Sequence, residues 1–248
     1  MSIESTYTSY YDYVSKITAE SDLSSFKSND AYRGTLEHVS FEQGVEYLKL
    51  IRSSTPLKDE AIVNFCKEND RIGNSIKYDY GFITTSPSNL RYLFHSHLIL
   101  NHISSLKLEN LNIVEVGGGY GGLCLAISQL GKYYDVVINN YNIIDLPAIG
   151  TLQSKYLELH TLNFIVNTYS AFNYGEEITS NNNTFLISNY CFSEIASEHQ
   201  LKYINNLFPK IQHGFFAWNH IPVYNFGFKY DVEDEYPLTG QFNKYVYF

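Results

Sequence analysis

Cysteine, tryptophan and basic side chains are all scarce in this chain: among 248 residues there are three Cys and one Trp, and 17 Lys and Arg stand against 26 Asp and Glu. Each shortage excludes a class of protein. Cys66, Cys124 and Cys191 are odd in number and widely separated, with no C-x-x-C pair, which argues against a disulfide framework and for a reducing compartment, the cytoplasm. Cys124 and Cys191 sit in apolar segments and read as core. The formal net charge of −9 argues against a nucleic-acid partner, which needs clustered Lys and Arg to meet phosphates. No apolar run approaches the ~20 residues of a membrane-spanning helix. The best candidate, Leu98-Ile99-Leu100, is interrupted by His97, Asn101 and His102. Met1-Ser2-Ile3-Glu4-Ser5 has neither the basic start nor the apolar stretch of a signal peptide. Nor are there repeats or tandem modules, and the length suits one compact enzyme with a small-molecule ligand.

What the chain has is a concentration of glycine in one place. Asn112-Ile113-Val114-Glu115-Val116 is an apolar run carrying one acid; it meets Gly117, Gly118, Gly119, Tyr120, Gly121 and Gly122, after which Leu123–Ile127 is amphipathic. That is a strand, a tight turn and a helix, the helix expected from about Tyr120 to Leu130. Glycines there permit positive φ and close approach to a ligand, and the free N–H groups of the helix face the same crevice. Gly117, Gly119 and Gly122 also meet the G-x-G-x-x-G spacing that seats a pyrophosphate at a helix N-terminus. Glu115, however, points into the strand's C-terminal crevice, where a carboxylate repels a pyrophosphate but suits the cationic methionyl end of S-adenosylmethionine. The plain alternative is a glycine turn with no ligand. Next, Tyr141–Pro147 reads as a second buried strand ending at Asp145, placed to accept hydrogen bonds from ribose hydroxyls. The same aspartate suits the N-cap of a helix opened by Pro147.

Val114–Gly122, Ile143-Ile144-Asp145-Leu146-Pro147 and Leu152-Gln153-Ser154-Lys155-Tyr156-Leu157 resemble the S-adenosylmethionine-dependent methyltransferases of the sugar O-methyltransferase family. Asp70-Arg71-Ile72-Gly73-Asn74, the segment Ser86–Tyr92 and Ser193-Glu194 are similar to it too, so the resemblance runs from about Asn69 to the C-terminus. The Asp-Leu-Pro is more specific than the glycines. The resemblance implies an α/β, Rossmann-like class I methyltransferase fold with a seven-stranded, mostly parallel sheet and helices on both faces. It implies an N-terminal helical extension or cap over residues 1–108 and a cofactor-binding domain over 109–248. It implies S-adenosyl-L-methionine as cofactor and a sugar or glycan hydroxyl, nucleotide-linked sugars included, as methyl acceptor. Against the cofactor it places Glu115, Gly117, Gly119, Tyr120, Gly121, Asp145, Leu146, Ser170 and Asn189; against the acceptor, Arg91 and Tyr92.

The rest of the pattern alternates. Asn163–Asn167, Thr184–Asn189 and Gly214–Trp218 are short runs of β-formers and read as the third, fourth and fifth strands. Ser197 is the expected N-cap of a helix through Leu207 with Leu201, Ile204 and Leu207 on its inner face. Lys229–Val232 and Asn243–Phe248 are expected to close the sheet as an antiparallel pair. Phe41–Ile51 and Leu90–Leu100 have helical spacing, and Asn181–Asn183 reads as an exposed turn.

Methyl transfer to an alcohol is an in-line displacement that needs alignment and a base or a metal. His220, just after the fifth strand, is the first choice as base because a histidine titrates near neutrality; an inert loop histidine is the alternative. Glu194, after the fourth strand, is the second candidate as base, orienting group or metal ligand, unless it only favours a helix start. Asn189-Tyr190-Cys191-Phe192 lacks the two prolines that follow this Asn or Asp in enzymes methylating amide or nucleobase nitrogen, which weakens an amine acceptor. Asp231, Glu233, Asp234 and Glu235 cluster without paired ligand spacing and read as a solvated edge, leaving a divalent metal undecided. His95 and His97 point to different helix faces and make a poor shared site. Tyr accounts for 23 residues; its rings can stack on sugars or simply fill the core. Arg91 either clamps an anionic acceptor or pairs with a surface acid. A catalytically silent binding module and a nicotinamide-dependent oxidoreductase are the other readings, and homo-oligomerisation is left open.

Overall fold

In the computed structural model, residues 8–179 and 183–248 are described. The opening Met1–Ser5, and Asn181 and Asn182 of the expected turn, lie outside the described residues. Asn183 is tied down instead, its side chain donating to the Glu109 carbonyl.

Helices come first: α1 (Thr8–Glu20), α2 (Asp30–Leu36), α3 (Phe41–Ser54) and α4 (Asp59–Asp70), then a two-stranded hairpin of β1 (Tyr78–Asp79) and β2 (Thr84–Thr85), then α5 (Pro87–Leu106). Their boundaries have local causes. Ser40 and Gln43 form a reciprocal capping box at α3, and Ser86 accepts from the Ser88 amide just where Pro87 opens α5. From Pro87 to Leu100 nearly every residue of α5 is buried. A helix apolar around most of its circumference has neighbours on several sides, and α5 packs on both α3 and the following α6.

The remaining elements are β3 (Leu111–Val116), α6 (Gly122–Leu130), β4 (Ile138–Asp145), α7 (Pro147–Leu157), β5 (Ile165–Ser170), β6 (Thr184–Asn189), α8 (Cys191–Glu194), α9 (Ser197–Asn206), β7 (His213–Trp218), β8 (Asp231–Asp234) and β9 (Lys244–Tyr247). They form one seven-stranded sheet in the order β5-β4-β3-β6-β7-β9-β8. All pairs are parallel except β7 with β9 and β8 with β9. This is the Rossmann-like class I methyltransferase arrangement, including the antiparallel pair expected at the end of the chain.

Right-handed crossovers put α6 and α7 on one face of the sheet and α9 on the other, and the aromatic residues of β7 show both faces. Phe215 lies beside Tyr245 and Tyr247, and His102 of α5 packs on Phe185 and Tyr247. Phe216 and Trp218 turn the opposite way, onto Phe192 and Phe226. Each such side chain, fully buried, contributes on the order of 1.5–3 kcal/mol.

Three expectations are corrected. The third strand runs from Ile165 to Ser170 rather than from Asn163 to Asn167, because Asn163 is held outside the ladder by the Ser128 hydroxyl and carbonyl at the end of α6. Ser197 is the first helical residue of α9, and Ala196 takes the cap position without a side-chain bond. On α9, the C-cap Leu207 is buried and Ile204 packs on the core as expected, but Leu201 is 57% exposed and the inner face carries His199, Gln200 and Tyr203 instead.

Candidate cofactor and acceptor site

The chain leaves β3 towards β4 and returns from β5 to β6 on β3's other side, so the carboxyl ends of β3, β4 and β6 diverge around a crevice. Gly117 (φ +79°) and Gly119 (φ +58°) form its floor in conformations that side chains rarely adopt. A Cβ at Gly117 would also fall inside van der Waals contact of the Cys191 side chain, so the glycine turn packs directly on the start of α8. Cys191 is thus half-buried at the crevice, not core as the sequence suggested; Cys124 is buried.

Two carboxyl groups meet the floor. Glu115 is 1% exposed and accepts from the Tyr141 hydroxyl at 3.0 Å. Burial pushes its pKa up to about 8, against the Tyr141 hydrogen bond and with the neighbouring Asp145 adding to the rise. Asp145, at the tip of β4, is pushed up to about 7 by burial, opposed by hydrogen bonds from the Leu146 amide and Gln153. The Leu146 N–H lies 2.8 Å from Oδ1 and Gln153 Nε2 lies 2.8 Å from Oδ2. Since Gln153 Nε2 is also 2.9 Å from the Gly119 carbonyl, one amide ties the acid to the glycine loop. Asp145 is not the N-cap of α7: Leu146 holds that position, without a side-chain cap bond.

Not every expected residue reaches the crevice. Gly117, Gly118, Gly119, Leu146 and Asn189 line it, as do Arg91 and Tyr92. Tyr120 turns the other way. It is fully buried, packs edge-on against Tyr156 and Tyr92, and lies 4.4 Å beneath the Lys27 ammonium. Its hydroxyl accepts from Asn69 at 2.8 Å, and Asn69 also binds Lys27, Asn89 and Tyr156. Gly121 faces Leu157. Ser170 caps the short turn after β5 by accepting from Phe172, leaving Ala171 at the crevice wall. Over the opening sit Tyr10 of α1, Thr35 and Leu36 of α2, and the exposed His38.

At the end of β6, Asn189 Nδ2 donates to His95 Nδ1 at 3.1 Å, while Oδ1 is buried without a partner. Tyr190 occupies the left-handed region (φ 67°), its hydroxyl donating to Glu235. Glu235 departs from the solvated edge expected for the acidic run: it is 3% exposed and also accepts from Thr239 and Asn243. The β8 acids Asp231, Glu233 and Asp234 are exposed. Arg91 is 5% exposed, so it is not a surface residue; Nη2 donates to the Leu36 carbonyl at 3.1 Å and Nη1 has no partner. His95 and His97 do diverge, the latter bonding to the Tyr134 hydroxyl at 2.8 Å.

Glu194 stands at the mouth, with Asn219 Nδ2 2.8 Å from Oε1. The Ser193 hydroxyl lies 2.6 Å from Asn219 Oδ1, coupling the loops after β6 and β7. His220 points to solvent, 68% exposed, with Nε2 3.5 Å from Glu194 Oε1. Among the described residues, no group of three or more His, Cys, Asp or Glu is arranged to hold a metal ion, and no helix is long and apolar enough to cross a membrane. Tyr10, His38, Gln153, Cys191 and Asn219 are site residues that sequence reasoning did not assign. Only Gln153 carried a signal, as part of the α7 segment where the family resemblance falls.

No protein-family model matches the chain, and no curated protein does. Among solved structures it is similar to a SAM-dependent methyltransferase from Aquifex aeolicus, at 17% identity over 56% of this chain and 81% of that one, TM-score 0.41. It is similar to SAM-bound CalS10, an amino pentose methyltransferase from Micromonospora echinaspora involved in calicheamicin biosynthesis, at 10% identity over 58% of each chain, TM-score 0.39. It is also similar to the plantazolicin methyltransferase BamL in complex with a triazolic desmethylPZN analog and SAH, at 12% identity over 71% of this chain and 55% of that one, TM-score 0.39. The chain therefore spans less than two thirds of the length of the last two.

Proposed function

We propose that this protein is an S-adenosylmethionine-dependent O-methyltransferase whose acceptor is a hydroxyl of a sugar or glycan. The observation that carries the cofactor reading is the pairing of Asp145 and Glu115 at the tips of adjacent strands, joined to the glycine loop through Gln153. Asp145 stands where ribose hydroxyls are recognised, and Glu115 stands where a pyrophosphate would be repelled and a cationic amino-acid end favoured. The cradle fits the group, since Gly117, Gly118 and Gly119 bring backbone rather than side chains to the crevice. The sugar acceptor follows from the resemblance carried by Asp145-Leu146-Pro147 and by the segment around Arg91.

When bound, S-adenosylmethionine supplies a methyl group on a cationic sulfur. The chain's own residues then have three tasks. Arg91, Tyr92 and Asn189 orient the acceptor. Tyr10, Leu36 and His38 narrow the opening and limit water. Glu194, held by Asn219, takes the proton of the attacking hydroxyl, and the exposed His220 3.5 Å away passes it to solvent.

The test is calorimetry of the purified protein with S-adenosylmethionine, S-adenosylhomocysteine and NADPH, alongside Glu115→Ala and Asp145→Ala. Binding of the sulfonium and its product, lost in both variants, is the expected result. Binding of NADPH alone, or of none of the three, overturns the reading.

A further inference from the structure

Three polar atoms of crevice-lining residues are buried with no hydrogen-bond partner among the described residues: the Tyr10 hydroxyl over the opening, and two orphans in the wall, Asn189 Oδ1 and Arg91 Nη1. Buried polar groups are almost always satisfied, and an orphan at a crevice wall calls for a ligand atom. The two orphans are of opposite kind, one an acceptor and the other a cationic donor.

Their orientation is fixed by what lies behind them. Burial holds His95 well below the usual histidine pKa, so its ring is neutral. The Tyr245 hydroxyl donates to the Tyr236 carbonyl at 3.4 Å and so takes the His95 Nε2 proton at 3.5 Å, which leaves Nδ1 to accept from Asn189 Nδ2 at 3.1 Å. The amide oxygen of Asn189 is therefore the side turned to the crevice. Arg91 and His95 are four residues apart in α5 and so share a face one turn apart. Arg91 and Asn189 line the same crevice.

Arg91 makes no ion pair among the described residues: the Glu37 carboxylate attracts it only from beyond contact distance and accepts instead from the Ser86 hydroxyl at 2.8 Å. Its contacts are the Leu36 carbonyl and the face of Tyr190, 5.6 Å away. A desolvated guanidinium without a directly bonded anion is expensive, and a planar carboxylate or phosphate matches its fork. The Tyr190 carbonyl lies 2.8 Å from the Ser193 hydroxyl, which leads to Asn219 and Glu194. The loop that follows Asn189 is thereby tied to the carboxylate assigned as base, in the crevice that Arg91 also lines.

We propose that Arg91 and Asn189 form an acceptor subsite for a hydroxylated anion, Arg91 taking the carboxylate or phosphate and Asn189 Oδ1 accepting from a nearby hydroxyl, so that the sugar methylated is an acidic one. This rests on the methyltransferase reading above.

The probes are lactate, the smallest carboxylate with an adjacent hydroxyl, and propane-1,2-diol, its neutral counterpart, each titrated into full-length protein saturated with S-adenosylhomocysteine. Lactate binds about tenfold more tightly than the diol, and Arg91→Met removes that preference while S-adenosylhomocysteine affinity stays within about twofold. Asn189→Leu removes the preference for lactate over propionate. Equal binding of lactate and diol overturns the proposal. So does a loss of S-adenosylhomocysteine affinity in Arg91→Met that its decarboxylated analogue does not share, since the anion would then belong to the cofactor. Should the variants not fold, side-chain 15N resonances of Arg91 and Asn189 in the wild type must shift with lactate and not with the diol; unmoved resonances overturn it. Failure of S-adenosylhomocysteine to bind sinks the methyltransferase reading itself, whereas silent lactate on a loaded protein sinks only the acidic acceptor.

Discussion

At the residue scale, the raised carboxyl groups make the site proton-coupled. Glu115 titrates near 8 and Asp145 near 7 in the folded chain, each well above its unfolded value because burial disfavours the charge. Folding therefore favours their protonated forms. That contribution is fully present below about pH 4 and is lost as pH rises through about 7 to 8. The melting temperature is expected to fall between pH 6 and 8.5, and Glu115→Gln should flatten that slope; an unchanged slope refutes it. A ligand that requires both carboxylates ionised must expel protons on binding. Calorimetry at pH 7 in buffers of different ionisation enthalpy should register net proton release with S-adenosylmethionine, reduced in Asp145→Asn. Gly117→Ala is a second test at this scale. At φ +79° a side chain costs ~1–3 kcal/mol and this one would also collide with Cys191, so stability and cofactor binding should both drop. Cys191→Ala should not rescue it, because the collision includes the Cys191 Cβ.

At the scale of elements, legibility followed how local the cause was. The strand from Leu111 to Val116, the glycine turn and Asp145 were readable because periodicity, glycine and a terminal acid lie within one short span. Thr184–Asn189 was readable for the same reason. The third strand was misplaced because the β-forming run from Asn163 to Ser170 is longer than the strand, and only pairing with β4 and the hold of Ser128 on Asn163 choose the register. Cys191 looked like core because the apolar run continues from β6 into α8 without glycine or proline; the turn is made by Tyr190 in a left-handed conformation. Glu235 was hidden in an acidic run whose other members are exposed. Nothing local to Tyr10 or His38 announces that tertiary packing brings them to the crevice. Gln153 allows a prediction on α7: Gln153→Leu leaves the helix but removes the amide donor that bridges the Asp145 carboxylate and the Gly119 carbonyl. Cofactor affinity should fall about tenfold with melting temperature little changed, as measured by calorimetry and thermal scan.

At the scale of the whole molecule, the N-terminal helices and the sheet share one buried polar hub. Asn69, from α4, bonds at once to Lys27, Asn89, Tyr120 and Tyr156. Asn69→Leu removes the side-chain partner shared by Asn89, Tyr120 and Tyr156, while Lys27 keeps its 2.6 Å bond to the main-chain carbonyl of residue 69, and should cost ~1–3 kcal/mol in urea unfolding. A cost below ~1 kcal/mol would mean the hub contributes little.

That hub also bears on how such a protein can diversify. Tyr120 belongs to the glycine loop, yet its side chain is spent on gripping the helices over the opening. A new acceptor specificity obtained by importing another protein's leading helices would arrive without an Asn69 to meet Tyr120, and the loop would lose its anchor along with the old lid. The covering helices and the glycine loop are therefore coupled, and on the proposed reading a change of acceptor is expected from point changes within the cover rather than from its exchange.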